Sequence, residues 1–178
     1  MGMQHEEMIT EDRLKGAYSE GEALAIYREA KDENLAVLCR TYMHNADYQV
    51  VRNMLWALTK ASDSEHRQLQ PLLHPLIDLA LQTGNSSVRR LALNNILRLE
   101  MAEADLRTDF LNFCLTHMVA PDEYPGIQSL CMKLAYRMSS FYPELMDELK
   151  RTVAMMDMSY YKPAVRSVRN RLLAGKKV

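Results

Sequence analysis

The chain has 178 residues, a formal net charge of −1 and an apolar share of 48%, which fits one domain with its own core and is too short to favour two. Only three phenylalanines and one tryptophan are present, and six glycines and six prolines leave few turns, so the composition favours an all-α domain. No apolar stretch approaches the length of a membrane helix, and the first eight residues are acidic and polar, unlike a secretory signal. We therefore predict no membrane contact and a cytoplasmic location.

Apolar residues at helical spacing predict helices along most of the chain. Residues 1–18 are an acidic segment, for which we predict a short helix or a disordered stretch. We predict that residues 19–175 form the helical repeat domain and that residues 176–178 form a basic tail. Within the domain, Ser19 stands in the N-cap position of a helix that begins near Glu20. The apolar pattern then continues to about Met43, and it leaves open whether residues 20–43 form one helix or two.

Further helices are predicted over residues 48–61, 69–81, 85–103, 104–118, 127–138, 143–153 and 164–173. Proline suits the first turn of a helix and damages its interior, so the second of these helices is predicted to begin near Pro71 or to bend at Pro75. Residues 121–126 contain two prolines and a glycine and give the strongest turn signal in the chain.

An apolar residue followed by a polar one recurs at the start of every second helix, as Val51-Arg52, Val88-Arg89, Ile127-Gln128 and Val165-Arg166. The intervals are 37, 39 and 38 residues. A near-constant period that begins a helix each time is typical of helical repeat proteins, in which stacked helix pairs share one core. We name the helix that carries this pair the B helix and the helix before it the A helix.

Over roughly residues 35–173 this pattern resembles the HEAT and armadillo-like helical repeats. In HEAT repeats an aspartate in the turn before the B helix and an arginine early in that helix form a ladder between neighbouring units. Here Asp47 and Asp122 match the acidic position, and Arg52, Arg89 and Arg166 match the basic one. One unit lacks the aspartate, and Gln128 replaces the arginine in another. The resemblance implies a single-domain, right-handed α-α superhelix of about four antiparallel helix pairs.

Arginine is frequent on the predicted B helices, and its planar guanidinium is well matched to carboxylates and phosphates. In a short solenoid the B helices line the concave face, so some of these side chains are predicted to meet a partner there, while others serve the ladder or face water. The predicted partner-binding residues are Arg90, Arg98, Arg137, Arg166, Arg169 and Arg171. This favours a protein-interaction or scaffold module that binds another protein across its B helices.

Charge is distributed unevenly along the chain. Residues 1–35 hold nine acidic and four basic residues, whereas residues 150–178 hold one acidic and eight basic residues. The basic C-terminal patch, with Tyr160 and Tyr161 beside it, fits a nucleic-acid backbone or an acidic protein surface. It also fits the acidic N-terminal region of a second copy, which predicts a head-to-tail homo-oligomer as a further arrangement.

The alternative function is nucleic-acid binding, with a relation to the alkylation-repair DNA glycosylases that are built from HEAT-like repeats. Those enzymes use an aspartate with aromatic residues, and Asp47 and Trp56 offer these residue types on one B helix. A glycosylase is the less favoured reading, because the chain is short and its central part is slightly acidic.

No catalytic residue, cofactor or metal site is predicted. The five histidines show no HExxH pattern and no pairing at three or four residues, and the sequence has no Gly-rich phosphate loop, GxSxG or CxxC motif. Cys39, Cys114 and Cys131 each lie in an apolar helix pattern and predict buried, reduced thiols. These observations favour a non-catalytic protein.

Overall fold

The computed structural model describes residues 9–178, so the first eight residues of the predicted N-terminal segment lie outside the described part. The α-helices are Glu11–Lys15 (α1), Glu20–Ala30 (α2), Leu35–Tyr42 (α3), Tyr48–Leu58 (α4), Asp63–His66 (α5), Leu73–Gln82 (α6), Ser86–Leu97 (α7), Thr108–Val119 (α8), Pro125–Ser139 (α9), Pro143–Ala154 (α10) and Pro163–Leu173 (α11). Short 3-10 segments cover Arg67–Leu72, Glu103–Asp105 and Met158–Tyr160.

Residues 20–43 form two helices, α2 and α3. Ser19 is the N-cap of α2, as predicted, and it forms a capping box with Glu22. Helix α2 ends before the charged residues 31–33, and α3 begins after Asn34, whose side chain accepts a hydrogen bond from the Ala36 N–H at 2.8 Å. The Leu35 N–H donates to the Gln68 side chain at 2.8 Å, so a contact with the next pair also fixes this break.

Both prolines of the helix predicted over residues 69–81 occupy positions that tolerate proline. Pro71 lies in the 3-10 segment Arg67–Leu72, and Pro75 lies in the first turn of α6. The first turn of an α-helix does not use its backbone N–H groups, so the missing donor of Pro75 costs no hydrogen bond. The continuous helix therefore begins at Leu73.

The helices form antiparallel pairs, α3 with α4, α6 with α7, α8 with α9 and α10 with α11, and the B helices α4, α7, α9 and α11 contact one another in series. Helices α1 and α2 pack on α4 at the N-terminal end. This confirms the all-α repeat architecture, an α-α superhelix in one domain. We refer to α4, α7, α9 and α11 as the B layer.

One continuous core runs between the two layers, and its largest fully buried side chains include Phe110, Met54, Leu93 and Ile96. The three cysteines lie in this core as free thiols, as predicted from their apolar surroundings. Burial raises the pKa of the Cys39 thiol to about 12. Among the described helices, none combines the length and the apolar content needed to cross a bilayer.

Candidate functional site

Two arginines join successive helices of the B layer at their C-terminal ends. Arg98, just after α7, donates from its guanidinium to the carbonyls of Thr59 at 3.2 Å and Ala61 at 2.7 Å, which follow α4. Arg137, in the last turn of α9, donates to the carbonyl of Leu99 at 2.8 Å and to that of Leu97. Each cation thus satisfies carbonyls at the negative end of the preceding B helix.

A second set of donors works inside three of the four pairs, where the B helix meets the end of its own A helix. The Arg89 guanidinium donates to the Ala80 carbonyl at 3.0 Å and to that of Thr83. Gln128 donates to the Ala120 carbonyl at 2.6 Å, and Arg169 donates to the Val153 carbonyl at 3.1 Å. Glutamine replaces arginine at position 128 without loss of this contact, because a neutral amide also donates to a carbonyl.

Among residues 9–178, neither Asp47 nor Asp122 pairs with Arg52, Arg89 or Arg166 as the expected ladder requires. The aspartate–arginine pairs between units join other residues, Asp63 with Arg98 at 3.2 Å and Asp78 with Arg107 at 2.7 Å. Asp47 accepts a hydrogen bond from the Gln49 N–H at 2.9 Å and pairs with Lys15 at 3.1 Å. These two contacts hold the pKa of Asp47 below its usual value. Arg52 lies 5.9 Å from the Tyr48 ring centre instead. Arg98 and Arg137 therefore connect the units in place of the expected ladder.

Asp47 and Trp56, the residues considered for a glycosylase site, are not brought together. They lie nine residues apart along one helix, which corresponds to about 13 Å. The Asp47 carboxylate caps α4, and the Lys60 ammonium lies 5.7 Å from the Trp56 ring centre.

Buried asparagines make further connections across the stack. Asn53 donates to the Leu14 carbonyl at 2.7 Å, and Asn95 donates to the Leu55 carbonyl at 3.2 Å and to the Leu91 carbonyl at 3.0 Å. Both donations of Asn95 come from its Nδ2, so its Oδ1 must accept the 2.8 Å hydrogen bond from His66. His66 therefore carries its proton on Nε2. Its Nδ1 is buried and has no hydrogen-bond partner among the described residues.

We expect His66 to make folding sensitive to mildly acidic pH. Burial lowers its pKa below the usual 6.5, and Arg98 adds to this, while the hydrogen bond to Asn95 and the Asp63 carboxylate oppose it. The unfolded chain therefore binds a proton more readily. Stability should be complete above about pH 6.5 and fall below it, by at most about 1.4 kcal/mol per pH unit for one proton.

Urea unfolding measured at intervals between about pH 5 and pH 7 checks this expectation. His66→Gln should lower stability and flatten the dependence in that window, while the exposed His44→Gln should leave it unchanged. A slope that survives in His66→Gln would show that another group is responsible.

One side of the B layer faces solvent, and its side chains follow helical spacing. We name it the B face and define it by partly or fully exposed residues, two from each helix: Arg52 and Trp56, Arg90 and Asn94, Lys133 and Tyr136, and Arg166 and Asn170. The spacing of three or four residues places each pair on one side of its helix. The A helices and the neighbouring B helices cover the other sides.

The B layer carries charge of one sign only. Its four helices, all inside the described part of the chain, contain no aspartate or glutamate. Their basic residues are Arg52, Arg89, Arg90, Lys133, Arg137, Arg166, Arg169 and Arg171. Helices α2 and α10, by contrast, each contain three acidic residues. A surface formed by the B layer therefore has a positive potential that attracts anionic groups.

The structure distributes the six predicted partner-binding arginines between different environments. Arg98, Arg137 and Arg169 donate to backbone carbonyls, and burial lowers the pKa of Arg137. Arg171 is exposed and donates to the Lys177 carbonyl at 2.7 Å. Arg90 and Arg166 are exposed on the B face, and no hydrogen bond or ion pair engages either guanidinium within residues 9–178. Binding by any of the six stays a prediction.

Sequence reasoning missed Lys133 as a member of this surface. It lies on α9 at the position that Asn94 occupies on α7, 39 residues earlier, and it is half-exposed. One signal in the sequence could have identified Lys133. None of the four B helices contains an acidic residue, so every charged side chain on them, including Lys133, adds positive charge to this layer.

Grooves flank the N-terminal end of α7, between it and the starts of α4 and α9. The groove beside α4 has a volume of about 340 Å³ and includes Tyr48. The groove beside α9 has a volume of about 380 Å³ and includes Arg90 and Tyr124. Tyr124 is 62% exposed, which is unusual for an aromatic side chain. These two grooves lie on either side of the start of α7.

Comparison with known proteins places this geometry in a family. A family model described as a HEAT repeat domain matches residues 10–176. Searches of curated proteins and of solved structures returned no match. The match covers almost the whole chain and includes every helix that is described above. The chain belongs to the HEAT repeat family.

Proposed function

We propose that this chain is a non-catalytic interaction module that binds an acidic region of another protein across its B face. The observation that carries the proposal is the B layer itself, which presents basic residues and no carboxylate from four stacked helices. HEAT repeats generally act as protein-interaction scaffolds. An acidic partner follows from charge complementarity, which steers association and selects against partners of the same charge.

The contacts at the helix ends support this role. Arg98 and Arg137 are held by carbonyls of the preceding units, and they fix the spacing of the B helices. Arg90, Lys133 and Arg166 remain available on successive helices of that layer. In the proposed complex, Arg98 and Arg137 hold the B helices in position. The three available basic residues contact the partner. Arg169 and Arg171 contribute positive charge at the C-terminal end.

A nucleic acid is the second candidate partner, and the exposed basic residues of the C-terminal patch favour it. A second copy, bound through the oppositely charged ends of the chain, is a further proposal from the same charges. We place the protein in the cytoplasm, in accord with three free thiols in its core.

The test is binding of a labelled, glutamate-rich peptide to the full chain by fluorescence anisotropy at several salt concentrations. We expect binding at low salt that weakens as salt rises. The triple variant Arg90→Glu, Lys133→Glu, Arg166→Glu should lose at least about tenfold in affinity. The matched control is Arg28→Glu, Arg40→Glu, Arg67→Glu, which makes the same charge change at exposed positions of α2, α3 and the first 3-10 segment.

Equal losses in the two triple variants would contradict a B-face site, because they would show a response to net charge alone. No binding of the peptide at low salt would contradict the proposed function. Single-stranded DNA of matched length serves as the second probe. If it binds more tightly than the peptide and is lost with the B-face variant, the partner is a nucleic acid.

A further inference from the structure

The groove between the starts of α7 and α9 holds a cation, Arg90, that no hydrogen bond or ion pair engages within residues 9–178. It is formed by Ser86, Ser87, Arg90, Tyr124, Pro125 and Gly126. No carboxylate lines it, and neither serine hydroxyl has a hydrogen-bond partner within residues 9–178. The groove at the opposite edge of the B layer also contains arginines, Arg98 and Arg137, but both are bonded to carbonyls.

Close contact between Arg90 and α9 defines where this cation lies. A Cβ atom at Gly126 would lie 3.2 Å from Cδ of Arg90, closer than ordinary van der Waals contact. Glycine at this position therefore lets the arginine stem lie directly against the start of α9. The guanidinium is then held at the groove by its stem and leaves its donors free for a ligand.

Tyr124 forms the other side of the groove, and a hydrogen bond from its backbone N–H fixes its position. Its N–H donates to the Glu123 carboxylate at 2.9 Å, and that carboxylate also pairs with His117 at 2.5 Å. The Glu123 carboxylate is thus already engaged, and it does not compete for Arg90 in the described structure. The exposed phenol supplies an apolar ring and a hydroxyl donor beside the cation.

We infer that this groove receives a carboxylate side chain from the acidic segment of the partner protein, with Arg90 as its hydrogen-bond donor and the Tyr124 ring packed against the adjoining backbone. The inference rests on the proposed function and identifies the place on the B face where the acidic segment is held. A forked guanidinium binds a carboxylate through two hydrogen bonds, so the groove selects glutamate or aspartate. The other basic residues of the B face attract the segment without forming a pocket.

The spacing of the helices sets the spacing of acidic residues that fits. Neighbouring packed helices lie about 10 Å apart, and an extended chain covers about 3.3 Å per residue. A segment anchored at Arg90 on α7 therefore reaches Arg166 on α11 after about six residues. We expect peptides with two glutamates separated in this way to bind more tightly than peptides of the same composition with adjacent glutamates.

The experiment compares these two peptides on the full chain and on single variants. Arg90→Gln should weaken the spaced peptide about tenfold, and Tyr124→Ala should weaken it by a smaller factor. The controls are Arg67→Gln and Tyr18→Ala, which change an exposed arginine and a 75% exposed tyrosine far from the groove. Gly126→Ala keeps every charge and displaces Arg90, so it should also weaken binding.

If Arg90→Gln and Arg67→Gln have equal effects while the triple B-face variant loses binding, the groove is not the anchor, although the proposed function stands. Failure of every acidic peptide to bind would overturn both. If the spaced and adjacent peptides bind equally and Arg90→Gln still weakens both about tenfold, the carboxylate binds at Arg90. That result would contradict the prediction that the segment extends to Arg166. Circular dichroism of each variant verifies that it is folded.

Discussion

Replacing Arg137 with alanine is expected to lower the free energy of unfolding by about 2 to 4 kcal/mol. The guanidinium donates to the carbonyls of Leu97 and Leu99, which end the preceding B helix. Hydrogen bonds from a charged donor contribute more than neutral ones, and the alanine variant would leave both carbonyls without this partner. The loss also separates two units of the stack, so the effect should exceed that of an ordinary surface change.

Urea unfolding followed by circular dichroism measures this difference. The matched control is Lys133→Ala, one turn earlier on α9, because Lys133 is half-exposed and makes no hydrogen bond or ion pair with any described residue. The control should change stability by no more than about 0.5 kcal/mol. If the two variants are equally stable, Arg137 does not connect the units in solution.

Replacing Asn95 with alanine is the second large expected effect, also about 2 to 4 kcal/mol. Asn95 is fully buried and connects α7 with the Leu55 carbonyl of α4 and with His66 of α5. Truncation would leave the His66 Nε2–H buried without a partner, and the Leu55 carbonyl would keep only the Thr59 N–H at 3.3 Å. An unsatisfied buried polar group costs more than the bond itself contributes.

The neighbouring residue provides the control for this variant. Asn94 is half-exposed, and its side chain has no hydrogen bond within the described structure. Asn94→Ala should therefore leave the urea midpoint almost unchanged, while Asn95→Ala lowers it clearly. Equal midpoints for the two variants would contradict the role that we give to Asn95. Asn95→Ala should also change the pH dependence assigned to His66, because it removes the acceptor that fixes the proton on Nε2.

The helix pairs were predictable because the B helices repeat at a nearly constant period, and that period reflects packing of one helix on the next. The boundaries were less predictable where tertiary contacts end a helix. The apolar pattern of residues 85–103 suggests one long helix, but α7 ends at Leu97. Gln70 holds the backbone of Glu100 through two hydrogen bonds of 2.8 and 2.9 Å, and no local pattern contains that contact.

The sequence was enough to predict a basic surface on the B helices, but not which arginines of that surface are free to bind a partner. The sequence shows arginine on the B helices, yet Arg90 and Arg98 lie on or beside the same helix and have different environments. Arg98 meets carbonyls because α4 ends at Leu58 opposite to it, whereas Arg90 meets the backbone of α9 at Gly126. Which arginine is engaged thus depends on where a neighbouring helix ends, and only the folded structure gives that position.

Nuclear magnetic resonance of the isotope-labelled full chain, during titration with the spaced acidic peptide, tests binding across the B face most directly. The shifted amide signals should cluster on the exposed sides of α7, α9 and α11, with the largest changes around Arg90 and Gly126. Shifts that cluster on the A helices α3, α6, α8 and α10, or that spread evenly over the exposed surface, would contradict binding across the B face.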